Sequence, residues 1–445
     1  MDLRSLQETA RENGIVGAGG AGFPAYAKMT DKADTVILNC VECEPLLKLH
    51  RQLLAEHARD IVSMLDEVRA VFNAQEAVIG IKAEYVETIR ALEEVLQDYD
   101  NVRMEQVKAA YPMGDEVILI YEATGRVVRP GGLPADEHVV VYNVETMYNL
   151  FRAVHEGKPV TSKVVSIVGE IDHPATLRVP IGTTVKEAVA LAGKITVEDP
   201  AYLMGGPMMG KLGDENTLIT KTTNAIIILD RSHDIVLKMK KDLGVERRRA
   251  SSACCQCRTC TDLCSRHALG HPIEPHRIMR AVANQDVSDL SVFVNSAFCS
   301  GCGICEKYAC PQGLSPKTII QEFKAGLRAA GINAGKPEPA PVGEDRELKK
   351  VPVHRLASRL GLTKYDVPAP FEDDLKSVSK VRIPLSQHIG APAKAAVKKG
   401  DKVSAGQMIA VPAEGLSVGI HTSIDGTVSD VTEGYIEVRS DQGRK

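Results

Sequence analysis

Apolar and polar positions alternate in two rhythms along the first 150 residues. Residues 3 to 13 carry the spacing of a short amphipathic helix. An apolar run, Thr35 to Asn39, predicts a strand; 50 to 72 returns to helical spacing; Ala77 to Ile81 predicts a second strand; and 84 to 97 is helical again. Val117 to Ala123 and Val139 to Tyr142 add further apolar segments. Strand and helix patterns in alternation predict an α/β domain with a largely parallel sheet. The texture changes after residue 160. Val164 to Gly169, Thr176 to Pro180 and Asn224 to Leu229 read as strands around one helix at 183 to 192, which suggests a small β-grasp domain. Residues 235 to 332 are helical around a set of cysteines, and 334 to 349 are rich in Gly, Pro and charge, the composition of a linker. From 380 to 442, short strands are separated by glycine turns such as Lys399-Gly400-Asp401 and Asp425-Gly426, the pattern of a small β-sandwich. The expected division is 1–158, 159–234, 235–333, a linker at 334–378, and 379–445.

Charge and composition narrow the classes. The 445 residues carry a net charge of -4, which argues against nucleic acid as a main partner, because phosphate binding needs a clustered basic surface. The run Arg247-Arg248-Arg249 reads as a solvated helix end. The opening MDLRSLQETAREN lacks the apolar core of a signal peptide, and no apolar stretch is long enough to span a bilayer. The expectation is a cytoplasmic protein, free or enclosed in a cytoplasmic assembly, with attachment to a membrane partner left open. In that compartment eleven cysteines read as metal ligands rather than disulfides.

Eight of those cysteines fall into two runs. The first is Cys254-x2-Cys257-x2-Cys260-x3-Cys264; the second is Cys299-x2-Cys302-x2-Cys305-x4-Cys310, followed by Pro311. Three thiolates at two-residue gaps wrap one cubane, and in two-cluster ferredoxins the fourth, proline-flanked cysteine serves the other cluster. The expectation is two [4Fe–4S] clusters, one on Cys254, Cys257, Cys260 and Cys310, the other on Cys299, Cys302, Cys305 and Cys264. Zinc, which takes four ligands in C-x2-C pairs, is the competing reading. Cys255 reads as a bystander, and Cys40 and Cys43 as packing.

Gly17, Gly19 and Gly22 match G-x-G-x-x-G, but a helix rather than a strand precedes them, which is the wrong context for a Rossmann fold. The physics of such a loop still holds. Glycines let backbone amides approach a phosphate, and a helix N-terminus favours its charge. Glu42, Glu44, Asp115 and Glu116 lie near apolar segment ends, where acids accept hydrogen bonds from ribose hydroxyls.

The order GAGGAGFP, NCVECEP, YPMGDE, RPGGLPAD and YNVETMYN resembles the NADH-binding flavoprotein subunit of respiratory complex I, and more closely the C subunit of the Rnf complex. Residues 160–230 resemble the SLBB β-grasp domain of those proteins. The cysteine runs and the tail PLSQHIGAPAKAAVKKGDKVSAGQ resemble the Rnf C subunit, whose tail-like module lies at the other end of the chain. A C-terminal placement resembles the propanediol-utilisation cobalamin reductases of PduS type. The resemblance implies FMN held by Gly17, Gly19, Gly20, Ala21, Gly22, Lys28, Asn39 and Asn143, with Glu42 inside the same motif. It implies NADH as substrate, facing Glu44 and Glu116 with Phe23 stacked on its adenine. Val41 stands where the complex I motif has Asp. The acceptor implied is a corrinoid or a partner redox enzyme, and a microcompartment shell protein or a corrinoid adenosyltransferase is an implied neighbour. The alternative is an Rnf-C-like or proline-reductase-associated adaptor with little turnover alone.

The tail resembles a lipoyl-type barrel-sandwich, yet no lysine lies between Lys402 and Lys445 to carry a prosthetic group. A structural or docking role is expected, with His388 a turn histidine. No D-x-H-x-x-G segment is present, so a corrinoid would visit rather than reside.

Overall fold

The computed structural model describes residues 1–441. Strands β1 (Thr35–Cys40), β2 (Glu76–Lys82), β3 (Val102–Val107) and β5 (Val139–Asn143) form a sheet in the order β3-β2-β1-β5. Every pairing in it is parallel, as the alternation predicts. The strand β4 (Ala110–Tyr111) lies outside that sheet. Strand β3 escapes the pattern because it is an edge strand whose central residues are half exposed. The span 50–72, expected as one helix, is two, Leu49–Glu56 and Ala58–Val71, broken at His57. The apolar segment after Asp115 is the helix Glu116–Thr124. The Asp115 carboxylate caps its start and Gly125, at φ 73°, ends it in the left-handed conformation that glycine adopts without a Cβ clash.

The second domain is a six-stranded sheet. Its strands are β6 (Ser162–Gly169), β7 (Ala175–Pro180), β8 (Pro200–Met204), β9 (Lys211–Gly213) and β10 (Ala225–Asp230), with a sixth from later in the chain. The helix Val185–Ala192 packs on it behind a capping box of Thr184 and Glu187. The sequence pattern does not predict β8 and β9; they flank the Gly205–Gly210 turn and pair with each other.

The stretch 334–378, expected as a linker, is woven into the other domains. Its strand β11 (Val351–Pro352) pairs antiparallel with β4, the helix Val353–Arg359 follows, and β12 (Phe371–Leu375) is the sixth, edge strand, parallel to β7. The Asp373 carboxylate accepts from Arg178 and lies 2.9 Å from His57. Two-residue strands and backbone pairing leave no periodicity in a sequence, which is why the segment reads as a connector.

The C-terminal module is a sandwich of two sheets. One contains β13 (Lys380–Pro384), β15 (Lys402–Val403), β18 (Gly426–Val431) and β19 (Tyr435–Arg439). The other contains β14 (Lys394–Ala395), β16 (Met408–Val411) and β17 (Ile420–His421). Its core is continuous with that of the first domain: Leu6, Ala10 and Ile15 share one apolar cluster with Val381, Ile383 and Ile420. Among the described residues no helix is long and apolar enough to cross a membrane.

Candidate cofactor sites

The glycine loop is built on the end of β5. Val16 bridges Pro24, and the Gly17 amide donates to the Phe23 carbonyl at 2.8 Å, closing the loop at its base. The Ala18 amide donates to Thr146 Oγ1 at 3.0 Å, in the first turn of the helix Val144–His155. Asn143 caps that helix, accepting from the Glu145 amide at 2.9 Å. A Cβ on Gly19 would stand 2.6 Å from Asn143 Nδ2, so the loop tip lies directly over the helix N-terminus. The element that follows the loop in sequence is only a single turn, Ala25–Lys28. The helix that presents its positive end comes about 120 residues later in the chain, which motif reading could not locate. Gly19, Gly20 and Ala21 are exposed, and nothing lies within 4 Å of a Cβ on Gly20. An open glycine tip over a twelve-residue helix N-terminus fits a flavin phosphate.

Lys28 and Phe23 flank this loop. Lys28 Nζ stands 5.9 Å from the Phe23 ring centre and donates to Glu116 Oε2 at 3.3 Å. Phe23, Lys28, Glu116, Asn143 and the loop therefore converge. The other candidates are held elsewhere. Asn39 donates to the Gly114 carbonyl at 2.9 Å and accepts from the Val41 amide, shaping the turn at the strand end. Glu42 is buried and accepts from the amides of His50 and Arg51, where it caps the helix Leu49–Glu56; burial raises its pKa.

Glu44 reaches away from the loop. Its carboxylate accepts from the amides of Met208 and Met209 at 2.8 and 2.9 Å, in the Gly205–Gly210 turn of the second domain. A Cβ on Gly206 would fall 2.3 Å from that carboxylate, which is the reason for glycine there. Burial pushes Glu44 up to about 7 against the pull of those amides, Lys307 and Lys317. Cys40 and Cys43 are free thiols, the first buried and the second half-buried. Burial pushes both up, Cys43 to about 12.

The eight remaining ligand candidates form two groups in space. Burial, then Cys310, Cys257 and Cys254, pushes Cys260 up to about 12, so these four thiols are neighbours. The same four line an open-sided hollow with Met279 and Leu314. Cys264 is pushed up to about 12 by burial and by Cys302 and Cys299, and Cys305 is raised by burial and by Cys299, Cys302 and Cys264. Each triple thus meets the fourth cysteine of the other run. Thiols that repel one another as anions are a donor set that a cationic cluster would stabilise as thiolates. The two runs share a backbone device that spacing alone conceals. Gly301 and Gly303 adopt φ 77° and 81°, and Gln256 and Arg258, at the same two places in the first run, adopt φ 54° and 68°. Left-handed residues at these points turn successive side chains inward. The Gly301 amide donates to Cys299 Sγ at 3.3 Å and the Leu314 amide to Cys310 Sγ at 3.4 Å, the hydrogen bonds by which a protein tunes cluster potential.

The second group is embedded where domains meet. Tyr111 Oη donates to the Cys302 carbonyl at 2.5 Å, and Lys307 Nζ donates to the Pro207 carbonyl at 2.6 Å. Cys302 and Ile304 share an apolar cluster with Leu46, Tyr111, Met208 and Val351. The first group lies at the outer end, with Cys257 and its neighbour Cys255 exposed.

Comparison with known proteins agrees domain by domain. Residues 10–152 match the Nuo51 FMN-binding domain, 164–212 the SLBB domain, 253–315 a 4Fe-4S dicluster domain, and 372–442 the RnfC barrel sandwich hybrid domain. The chain is 33% identical over 271 residues to the C subunit of the ion-translocating oxidoreductase complex of Edwardsiella ictaluri, covering 60% of this chain and 32% of that one. It is 39% identical to cobalamin reductase PduS of Citrobacter freundii, over 98% of this chain and 97% of that one. With cobalamin reductase PduS of Salmonella typhimurium the identity is 41% over 435 residues, 97% of this chain and 96% of the relative. Likeness at that level along the whole length shows that the chain belongs to the PduS cobalamin reductase family, an oxidoreductase with a flavin domain and an iron–sulfur domain.

Proposed function

We propose that the chain oxidises NADH at FMN seated on Gly17–Gly22 and passes electrons singly through two [4Fe–4S] clusters to cobalamin. The observation that carries this reading is the junction of Tyr111 and Asp115 with the Cys302 and Cys264 neighbourhood, which joins the flavin domain to one cysteine group while the other faces solvent. In this reading the group Cys264, Cys299, Cys302 and Cys305 is the flavin-side relay, and the group Cys254, Cys257, Cys260 and Cys310 is the exit. Bound FMN would supply the change from two-electron to one-electron transfer. One NADH gives NAD⁺, a proton and two electrons, enough for two one-electron reductions of cobalt.

The chain's own residues bind and orient. The amides at the exposed loop tip, Gly19 to Ala21, and the helix N-terminus at Asn143 take the phosphate, and Lys28 adds a point charge beside it. Phe23 offers a face for the nucleotide adenine, and Glu116 an acceptor for its ribose. The engagement of Glu42 and Glu44 elsewhere leaves Glu116 as the acid best placed for that contact. The test is anaerobic NADH oxidation by the purified, cluster-loaded chain with and without cob(III)alamin. Turnover that requires the corrinoid is expected. Flavin bleaching with no corrinoid reduction would instead favour an adaptor that feeds a partner enzyme.

A further inference from the structure

We propose that the C-terminal module is a clamp on the flavin-phosphate loop, setting FMN affinity from a domain that grips the loop's two flanks and leaves its tip free. The inference rests on the placement of FMN at Gly17–Gly22 given above.

On the upstream flank, Arg11 donates to the carbonyls of Ala413 and Ser417 at 3.1 and 3.4 Å, and the Gly419 amide donates back to the Arg11 carbonyl at 2.9 Å. The buried Lys221 of the second domain ties the same place: its Nζ donates to the Gly14 carbonyl at 2.7 Å and the Gly419 carbonyl at 3.1 Å. On the downstream flank, Tyr26 Oη donates to the Gly415 carbonyl at 3.2 Å and accepts from the Ser417 amide at 3.3 Å. The Ile389 amide donates to the Gly22 carbonyl at 3.3 Å. Gly22 has φ +74°, and a Cβ there would stand 3.1 Å from the Gln387 carbonyl oxygen and 3.2 Å from His388 Cα. His388 makes the two fingers of the clamp one unit, because its Nε2 accepts from the Val418 amide at 3.4 Å. Arg11 also lies over the Tyr26 ring, 5.9 Å from its centre, so the flanks touch each other.

Within the first domain the loop is held only at its base, by the Gly17 amide on the Phe23 carbonyl and the Ala18 amide on Thr146 Oγ1. Four of its six residues, Gly17 to Gly22, are glycine, the residue that loses most conformational freedom on ordering. A binding loop populated only in part in its competent form shows an affinity reduced by that fraction. Contacts on both flanks raise the fraction without touching the ligand, which is preorganisation. This gives the barrel-sandwich a task that needs no carrier lysine, and it gives the SQHIG segment a role in backbone contact rather than in chemistry.

The experiment compares the full-length chain with Arg11→Ala/Tyr26→Phe and with Tyr26→Phe alone. FMN affinity is read by quenching of flavin fluorescence, and loop order by hydrogen exchange of the 17–23 amides. The double variant is expected to bind FMN about tenfold more weakly, the effect of cutting the competent fraction to about a tenth. Exchange at 17–23 should be faster, with iron content unchanged. Should the double variant fail to fold, Tyr26→Phe carries the same expectation at about threefold. Parent-like FMN affinity in Tyr26→Phe overturns the clamp. Gly20→Glu separates the two levels of the argument: it places a carboxylate in the open tip and is expected to abolish FMN binding. Loss of FMN there with parent affinity in Tyr26→Phe sinks the clamp alone. FMN retained in Gly20→Glu sinks the placement of the flavin and the clamp with it.

Discussion

Arg266 and Asp115 form a two-pronged ion pair across the domain boundary, with guanidinium nitrogen to carboxylate distances of 2.7 and 2.9 Å from one nitrogen and 3.2 Å from the other. Arg266 comes two residues after Cys264, and Asp115 caps the helix that begins with Glu116. With the Tyr111 bond to the Cys302 carbonyl, this pair holds the Cys264 neighbourhood against the flavin domain. Arg266→Met should cost about 1.5–3 kcal/mol of stability, the range for a hydrogen bond to a charged group. In stopped flow, NADH should bleach the flavin at the parent rate while the later iron–sulfur phase slows. An unchanged second phase would show that the pair does not align the relay.

The crossed grouping of cysteines predicts which cluster a single ligand controls. Cys310→Ser should reduce the iron content from roughly eight towards four per chain and remove the signal of the cluster on Cys254, Cys257 and Cys260. Electron paramagnetic resonance after reduction distinguishes the outcomes. Loss of the other signal, with this one intact, would mean that Cys310 serves its own sequence neighbours.

Glu116 is a half-exposed acid whose one ion pair among the described residues is with Lys28. Glu116→Gln should leave FMN content unchanged and raise the Michaelis constant for NADH. A lost hydrogen bond to a charged group, about 1.5–3 kcal/mol, corresponds to about ten- to a hundredfold. Unchanged NADH kinetics would place the nucleotide elsewhere.

Glu44 makes the junction between the first two domains sensitive to pH. Burial raises its carboxyl from 4.5 to about 7 in the folded chain. The folded state then holds a proton that the unfolded state has released, so this contribution to stability is complete below about 4.5, declines as pH rises, and is gone above about 7. Melting temperature measured from about pH 4.5 to 8 should fall across that window, and Glu44→Gln should flatten the profile. A profile identical in the two proteins would exclude Glu44 as its source.

The cysteine runs and the glycine loop were legible because ligand spacing and glycine content are local properties of a sequence. What was not legible is long-range. The helix N-terminus under Gly19 belongs to Asn143, and nothing near residue 19 announces it. Glu44 sits in a motif that resembles a nucleotide site, yet its oxygens meet the Met208 and Met209 amides, 164 and 165 residues on. Gly206 was the available signal, a glycine needed for close approach, but a glycine does not name its visitor. Val351 and Pro352 pair with two residues of a distant domain through backbone alone, so they left no mark in the pattern of side chains.

The clamp also sets an order in time. Arg11 and Ala413, which bond to each other, are 402 residues apart. At about 5–20 residues per second of synthesis, roughly 20–80 s separate the emergence of the flavin loop from that of the inter-strand loop that grips its flanks. Through that interval the nascent chain can fold its parallel sheet and close the loop at its base, but lacks the flank contacts of the C-terminal module. If the clamp sets affinity as proposed, tight flavin capture is completed only once the last module has been made, and a chain truncated before residue 413 is expected to be flavin-poor.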